Sequence, residues 1–170
     1  LVERIARDPD LFTYLKDCSP RISVRIGDAR FTLASAPDRY YGMFILDAFS
    51  GDSIPIHLLT REAVELYLSK LVPEGVLLFN ISNRYMNLAP VIDRVATELK
   101  LTAFLRDDLE INEIEQAEGK QPSSWVVLAR QNKVLAAFDK DPKWKPLVGN
   151  LKSDLWTDNY SNILQALRWQ

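Results

Sequence analysis

The stretch Tyr41-Gly-Met-Phe-Ile-Leu-Asp47 decides the fold class. Nearly all of it is apolar, and it closes on a carboxylate. An unbroken apolar run of strand length reads as a strand covered on both faces, the habit of parallel sheets. Asp47 then stands at the carboxyl end of a buried strand, where open α/β sheets gather their ligands. It is the first candidate for an active-site residue.

Upstream, Ile22-Ser-Val-Arg-Ile26 alternates as a strand does, and Gly27-Asp28-Ala29-Arg30 turns into a short helix through about Ala36. The opening Leu1-Val-Glu-Arg-Ile-Ala-Arg7 suits one face of a helix. It starts without a capping residue, so the true chain is expected to extend upstream. Downstream, Leu59 to Leu71 reads as a helix with Thr60 as N-cap and Leu59 and Val64 as a hydrophobic staple. Its buried stripe is Ala63, Val64, Tyr67, Leu68 and Leu71. Pro73-Glu74-Gly75 stops this helix and launches a second buried strand, Val76 to Ile81.

Asn87 caps a further helix through Leu99, with Pro90 tolerated in its first turn. Leu101-Thr-Ala-Phe-Leu105 and Trp125-Val-Val-Leu-Ala129 read as two more strands, joined by an acidic, polar connection. Strand and helix alternate, which predicts an α/β fold with three layers and a mostly parallel sheet. The 170 residues suit a single domain spanning the chain.

Composition excludes several classes of function. Hydrophobic residues make up 47% and charged residues 26%, an ordinary globular balance. The net charge is −2 and the basic residues are scattered, so no nucleic-acid partner is expected. Cys18 is the only cysteine, which rules out an intrachain disulfide and a cysteine metal cluster and suits a cytoplasmic setting. Cys18 itself reads as a small residue near a loop, and His57, the only histidine, as a packing residue. No apolar run is long enough for a membrane span, and the start lacks a signal-peptide pattern. There is no Walker loop, no metal-ligand spacing, no G-x-S-x-G elbow and no G-x-G-x-x-G. The last absence counts against a complete cofactor site within the chain.

Three polar clusters follow strands and outline one pocket: Asp28, the segment Asp47 to Asp52, and Asn80 to Asn83. Asp28 can accept a hydrogen bond from an exocyclic amine such as that of adenine, or it can cap the helix it precedes. Partial burial would raise the pKa of Asp47 and a cationic ligand would lower it. Such an acid can serve as a general base toward an amine, or hold a cation by charge; the plainer reading is a cap on the next segment. Asp52 adds negative charge to the same loop. Trp156-Thr-Asp-Asn-Tyr160 can cover a pocket or pack the last helix as a surface cluster.

Taken in order, Gly27-Asp28-Ala29-Arg30, Phe44-Ile-Leu-Asp47-Ala-Phe-Ser-Gly-Asp-Ser-Ile-Pro55 and Leu71-Val-Pro-Glu-Gly75 resemble the spermidine synthase family. His57-Leu-Leu-Thr60, Ile81-Ser-Asn-Arg-Tyr85 and Trp156-Thr-Asp-Asn-Tyr-Ser161 resemble its spermidine-synthase-like branch, some of whose members are fused to membrane segments. The resemblance implies a class I methyltransferase-like, Rossmann-like fold. It also implies aminopropyl transfer from decarboxylated S-adenosylmethionine to a di- or polyamine, without a metal. Asp28, Ala29, Asp47 and Ala48 would line the donor, with Asp28 on the adenine amine. Asp47 would hold or deprotonate the attacking amine, and Ser50, Asp52 and Tyr160 would face the amine substrate. Both reactants are cations, so an anionic pocket suits them.

The chain departs from the family's pattern in two places. Where the typical synthase has a second acid, three residues after the first, this chain has Ser50. The glycine-rich cofactor loop and the acid that holds the ribose would precede Leu1, so the chain corresponds to the C-terminal portion of a spermidine-synthase-like catalytic domain. Ser50 also leaves open methyl transfer from S-adenosylmethionine. A third reading is a non-catalytic binding or structural module. A sheet lacking its centre exposes strand edges, so a homo-oligomer is an expectation, and a membrane segment upstream is another.

Overall fold

Residues 1–18, 22–48, 55–147 and 153–168 are described by the computed structural model. The chain divides into two compact units, Leu1–Thr32 and Leu33–Gln170. The first holds the short helices α1 (Val2–Ala6) and α2 (Tyr14–Asp17), and α3 (Ala29–Ala34) straddles the division. None of the described residues of this first unit is buried.

Residues 22–26 do not form the strand their alternation predicts. A strand needs partners for its backbone N–H and C=O groups, and among the described residues none pairs with this segment. Ile22, Val24 and Ile26 remain 40%, 37% and 76% exposed.

The second unit is built on β1 (Tyr41–Leu46), α4 (Arg61–Lys70), β2 (Leu71–Asn80), α5 (Ala89–Glu98), β3 (Thr102–Asp108), α6 (Glu113–Ala117), β4 (Ser123–Ala129), α7 (Ala136–Asp139), β5 (Lys145–Pro146) and α8 (Ile163–Ala166). The sheet order is β1-β2-β4-β3-β5. Among the described residues only β1 and β2 run parallel; β2 with β4, β3 with β4, and β3 with β5 are antiparallel. The expected mostly parallel sheet is therefore a mixed, mostly antiparallel one. The cause is the connection after β3. A parallel neighbour needs a crossover over the sheet face, whereas this polar segment carries only the five-residue α6 and brings the chain straight back. Strands β3 and β4 then pair without interruption from Thr102↔Ala129 to Asp108↔Ser123.

Helices α4 and α5 cover one sheet face. Ala63, Val64, Tyr67, Val91, Ile92 and Val95 meet Leu46, Leu77, Phe79, Val126 and Leu128 there. The stripe expected for α4 holds, with Leu68 only partly buried and Leu71 supplied as the first residue of β2. Thr60 is its N-cap, accepting from the Ala63 amide at 3.3 Å. On α5, Leu88 occupies the cap position, and Asn87 Oδ1 accepts from the Ala89 amide. The opposite face carries a thinner cover. A short 3₁₀ turn, Asn132–Leu135, and α7 place Leu135, Val134 and Phe138 on Phe104, Val127, Ala129, Val76 and Leu78.

That thin layer packs on β2, β3 and β4, and β1 lies at the end of the sheet. Met43 and Ile45, on its second face, are 56% and 53% exposed, while Phe44 and Leu46 pack inward. Strand β1 is thus covered on one face only. His57, expected to pack, is also exposed.

Trp156 is the largest fully buried side chain, 1% exposed. Its segment docks on the start of α4: the Arg61 amide donates to the Trp156 carbonyl at 2.9 Å, and Thr60 Oγ1 donates to Asp158 Oδ1 at 2.7 Å. At the other end of α4, buried Lys70 donates to the carbonyls of Ala34 and Ala36 and to Asp38 Oδ1 at 2.6 Å.

Candidate functional site

Parallel pairing sets the geometry at Asp47. The last β1–β2 pair is Leu46↔Phe79. One step further, Asp47 and Asn80 project on the same side, because successive side chains alternate. Asn80 Nδ2 donates to Asp47 Oδ1 at 2.9 Å.

Asn80 is itself held. Its Oδ1 accepts from both the amide of Ser82, at 3.0 Å, and Ser82 Oγ, at 2.6 Å. Two donors on one atom identify it as the carbonyl oxygen and leave the amide nitrogen for Asp47. Ser82 Oγ accepts in turn from the Ser124 amide at 3.0 Å, and Ser124 Oγ donates to Asp107 Oδ1 at 2.6 Å. A single run of hydrogen bonds therefore crosses the sheet end from the carboxylate after β1 to the one on β3, through β2 and β4. The antiparallel direction of β4 makes this connection. It sets the amino end of that strand beside the carboxyl ends of its neighbours, so Ser124 sits opposite Asp107.

Asp47 is exposed, not partly buried as its apolar approach predicts. Among the described residues its Oδ2 receives no hydrogen bond, so one oxygen is oriented and the other faces solvent. An oriented, accessible carboxylate of this kind fits a cationic group, either an ammonium or a sulfonium. Ala48 follows it, half-buried. Ser50 and Asp52 lie outside the described residues.

Asp28 belongs to the first unit, where its Oδ1 accepts from the amides of Arg30 and Phe31 at 2.9 and 3.1 Å. That is the work of a helix cap, and Ala29 is the first residue of the helix it starts. Gly27 precedes it at φ +147°, a backbone conformation that a side chain would strain. Tyr160 is 53% exposed, and its hydroxyl donates to Asp154 Oδ2 at 2.9 Å. Hydrogen bonds from Asn162 and Tyr160 hold the Asp154 carboxyl below its usual range, and the same Asp154 contact pushes the Tyr160 phenol up.

Beside the hydrogen-bonded run lies an open cleft of about 790 Å³, with Asn80, Ser82, Arg84, Ser123, Ser124 and Arg168 among its walls. Asn80 to Asn83 were expected near a pocket; Asp107, Ser124 and Arg168 were not. Nothing but the direction of β4 could have pointed to the first two. Among the described residues, no group of three or more histidine, cysteine or acidic side chains is placed to hold a metal, and no helix is long and apolar enough to cross a membrane.

No protein-family model matches the chain. No curated protein matches it by sequence. Solved structures do. A probable spermidine synthase from Corynebacterium glutamicum ATCC 13032 aligns with 85% of this chain and 53% of its own, at 16% identity and a TM-score of 0.54. This chain shares its fold. It spans about half the length of that structure. MnmC2 from Aquifex aeolicus aligns over 82% of this chain and 44% of its own, at 14% identity and a TM-score of 0.43. A SAM-dependent methyltransferase from Archaeoglobus fulgidus aligns over 73% of both chains, at 16% identity and a TM-score of 0.39. At 16% identity the likeness to the first of these is one of α/β fold alone.

Proposed function

We propose that this chain carries the acceptor side of a spermidine-synthase-like transferase, which moves an aminopropyl group from decarboxylated S-adenosylmethionine to an amine. The observation that carries the reading is the Asp47–Asn80 hydrogen bond at the parallel strand ends. A sulfonium donor, when bound, supplies an electrophilic carbon whose bond to sulfur breaks as a neutral thioether leaves. Asp47 holds the acceptor's ammonium with its open oxygen and takes one proton, which frees the nitrogen lone pair for attack. Asn80 keeps the carboxylate turned toward that nitrogen, and Ser82 keeps Asn80 from rotating. Ala48 is assigned to the donor's neighbourhood, and Ser50, Asp52 and Tyr160 to the acceptor side.

Methyl transfer from S-adenosylmethionine is the second reading. It is favoured by Ser50, where the synthases carry a second acid, and by the arginines of the cleft, which suit a plain polyamine poorly.

Calorimetric titration of the full-length protein with each donor tests both readings. Saturable binding of decarboxylated S-adenosylmethionine, weakened about 10-fold or more by Asp47→Asn, supports aminopropyl transfer. A preference for S-adenosylmethionine supports methyl transfer. Binding of neither donor sinks both.

A further inference from the structure

The charge of the cleft beside Asn80 does not match a substrate that is cationic throughout. Arg84 and Arg168 both line it, and no carboxylate stands among its described lining residues. Three other arginines in this unit are ion-paired: Arg61 with Glu62, Arg94 with Glu98, and Arg106 with Asp108. Among the described residues no ion pair is found for Arg84 or Arg168.

The Arg168 backbone is anchored, and the Arg84 side chain rests on a ring. The Arg168 amide donates to the Tyr85 carbonyl at 2.8 Å, and the residues just before it pair with the segment after Tyr85, through Met86↔Leu167 and the Asn87 amide on the Ala166 carbonyl. The Arg84 guanidinium lies over the Tyr85 ring, 5.6 Å from its centroid. Gln121 and Ser123 add polar groups to the same walls. A planar guanidinium recognises carboxylate or phosphate through two parallel N–H bonds. Asp107 lies next door, in a smaller cavity of about 190 Å³ that shares Arg168 and Ser124, and its Oδ1 accepts from the Ser124 hydroxyl.

We infer that the acceptor is an amine that also carries an oxyanion, with its ammonium at Asp47 and its carboxylate or phosphate between Arg84 and Arg168. The inference rests on the reading of Asp47 as the amine-holding group and narrows the substrate from a plain diamine to an amino acid-like or phosphoamine-like molecule. Two opposite charges at two ends of one site also fix which end of the acceptor reacts.

Three small probes test it on the 170-residue chain: 4-aminobutyrate, phosphoethanolamine, and putrescine, which matches the first in length but bears a second ammonium in place of the carboxylate. The readout is the backbone amide shifts of Ser123 and Ser124 by NMR. Saturable shifts with at least one of the two oxyanion probes, about 10-fold or more tighter than with putrescine, are expected. The better of the first two names the oxyanion. The double variant Arg84→Gln/Arg168→Gln should lose about 10-fold or more, and Arg84→Lys/Arg168→Lys should recover part of it by charge alone. Putrescine binding as tightly as the oxyanion probes, undiminished binding by the glutamine variant, or no saturable shift with any probe would overturn the inference. Donor titration is a separate measurement, so donor binding that survives such a result leaves the transferase reading standing.

Discussion

Asn80 Nδ2 sits 2.9 Å from Asp47 Oδ1, one residue beyond the last pair of the parallel ladder. The bond ties the first strand end to the second, and through Ser82 and Ser124 to the third and fourth. Replacing Asn80 with leucine should cost about 1 kcal/mol of stability. It should cost the site more, because Asp47 loses its orientation. Urea unfolding and acceptor titration on the same variant separate the two effects; a binding loss of about 10-fold or more is expected.

The one-sided cover of β1 predicts a contrast between adjacent residues. Ile45→Lys and Met43→Lys place charge on an exposed face and should change stability by no more than about 0.5 kcal/mol. Leu46→Ala, in the core and 3% exposed, should cost about 2–5 kcal/mol. Urea midpoints for the three variants check this directly.

Lys70 is buried, yet its partner Asp38 is exposed, with side-chain exposures of 8% and 70%. Lys70→Met would abandon two carbonyls and should destabilise by about 1–3 kcal/mol. Asp38→Asn should cost about 0–1 kcal/mol, because solvent already screens that carboxylate. Equal losses would mean the ion pair, not the carbonyl contacts, is what Lys70 provides.

Asp154 gives a pH signature. Asn162 and Tyr160 donate to it and hold its folded value below the usual 3.8. A depressed carboxylate contributes stability that is present above its unfolded value and is lost as pH falls through the folded one. The chain should therefore be more stable than Asp154→Asn at neutral pH, with the gap closing as pH drops below 3.8. Urea midpoints at stepped pH measure it. The same variant should bring the Tyr160 phenol back down toward 10.0, followed by carbon NMR of labelled tyrosine.

Much of this was legible in the residues. Thr60, the α4 stripe and the strand ending at Asp47 follow from caps and apolar spacing, which are local signals. The direction of β4 was not legible, because Trp125-Val-Val-Leu-Ala129 reads alike in either direction and only pairing with β2 and β3 fixes its sense. With it went Ser124 and Asp107, which a parallel β4 would have kept at opposite ends of the sheet. The burial expected for Asp47 is absent for a related reason. An apolar run tells that a strand can be covered on both faces, not that both covers exist, and among the described residues Met43 and Ile45 have one neighbouring strand beside them. Arg168 lies beyond the last short helix, where no periodicity marks it.

The central claim is that the Asp47–Asn80 pair is where chemistry on the substrate takes place. Titration of the full-length protein with decarboxylated S-adenosylmethionine and an acceptor, followed through the Asn80 side-chain NH₂ resonances and the Asp47 carboxyl carbon, tests it most directly. The account predicts that both signals shift together and saturate with ligand binding, and that Asp47→Asn abolishes the response at Asn80. Ligand binding that leaves both signals unmoved would contradict it.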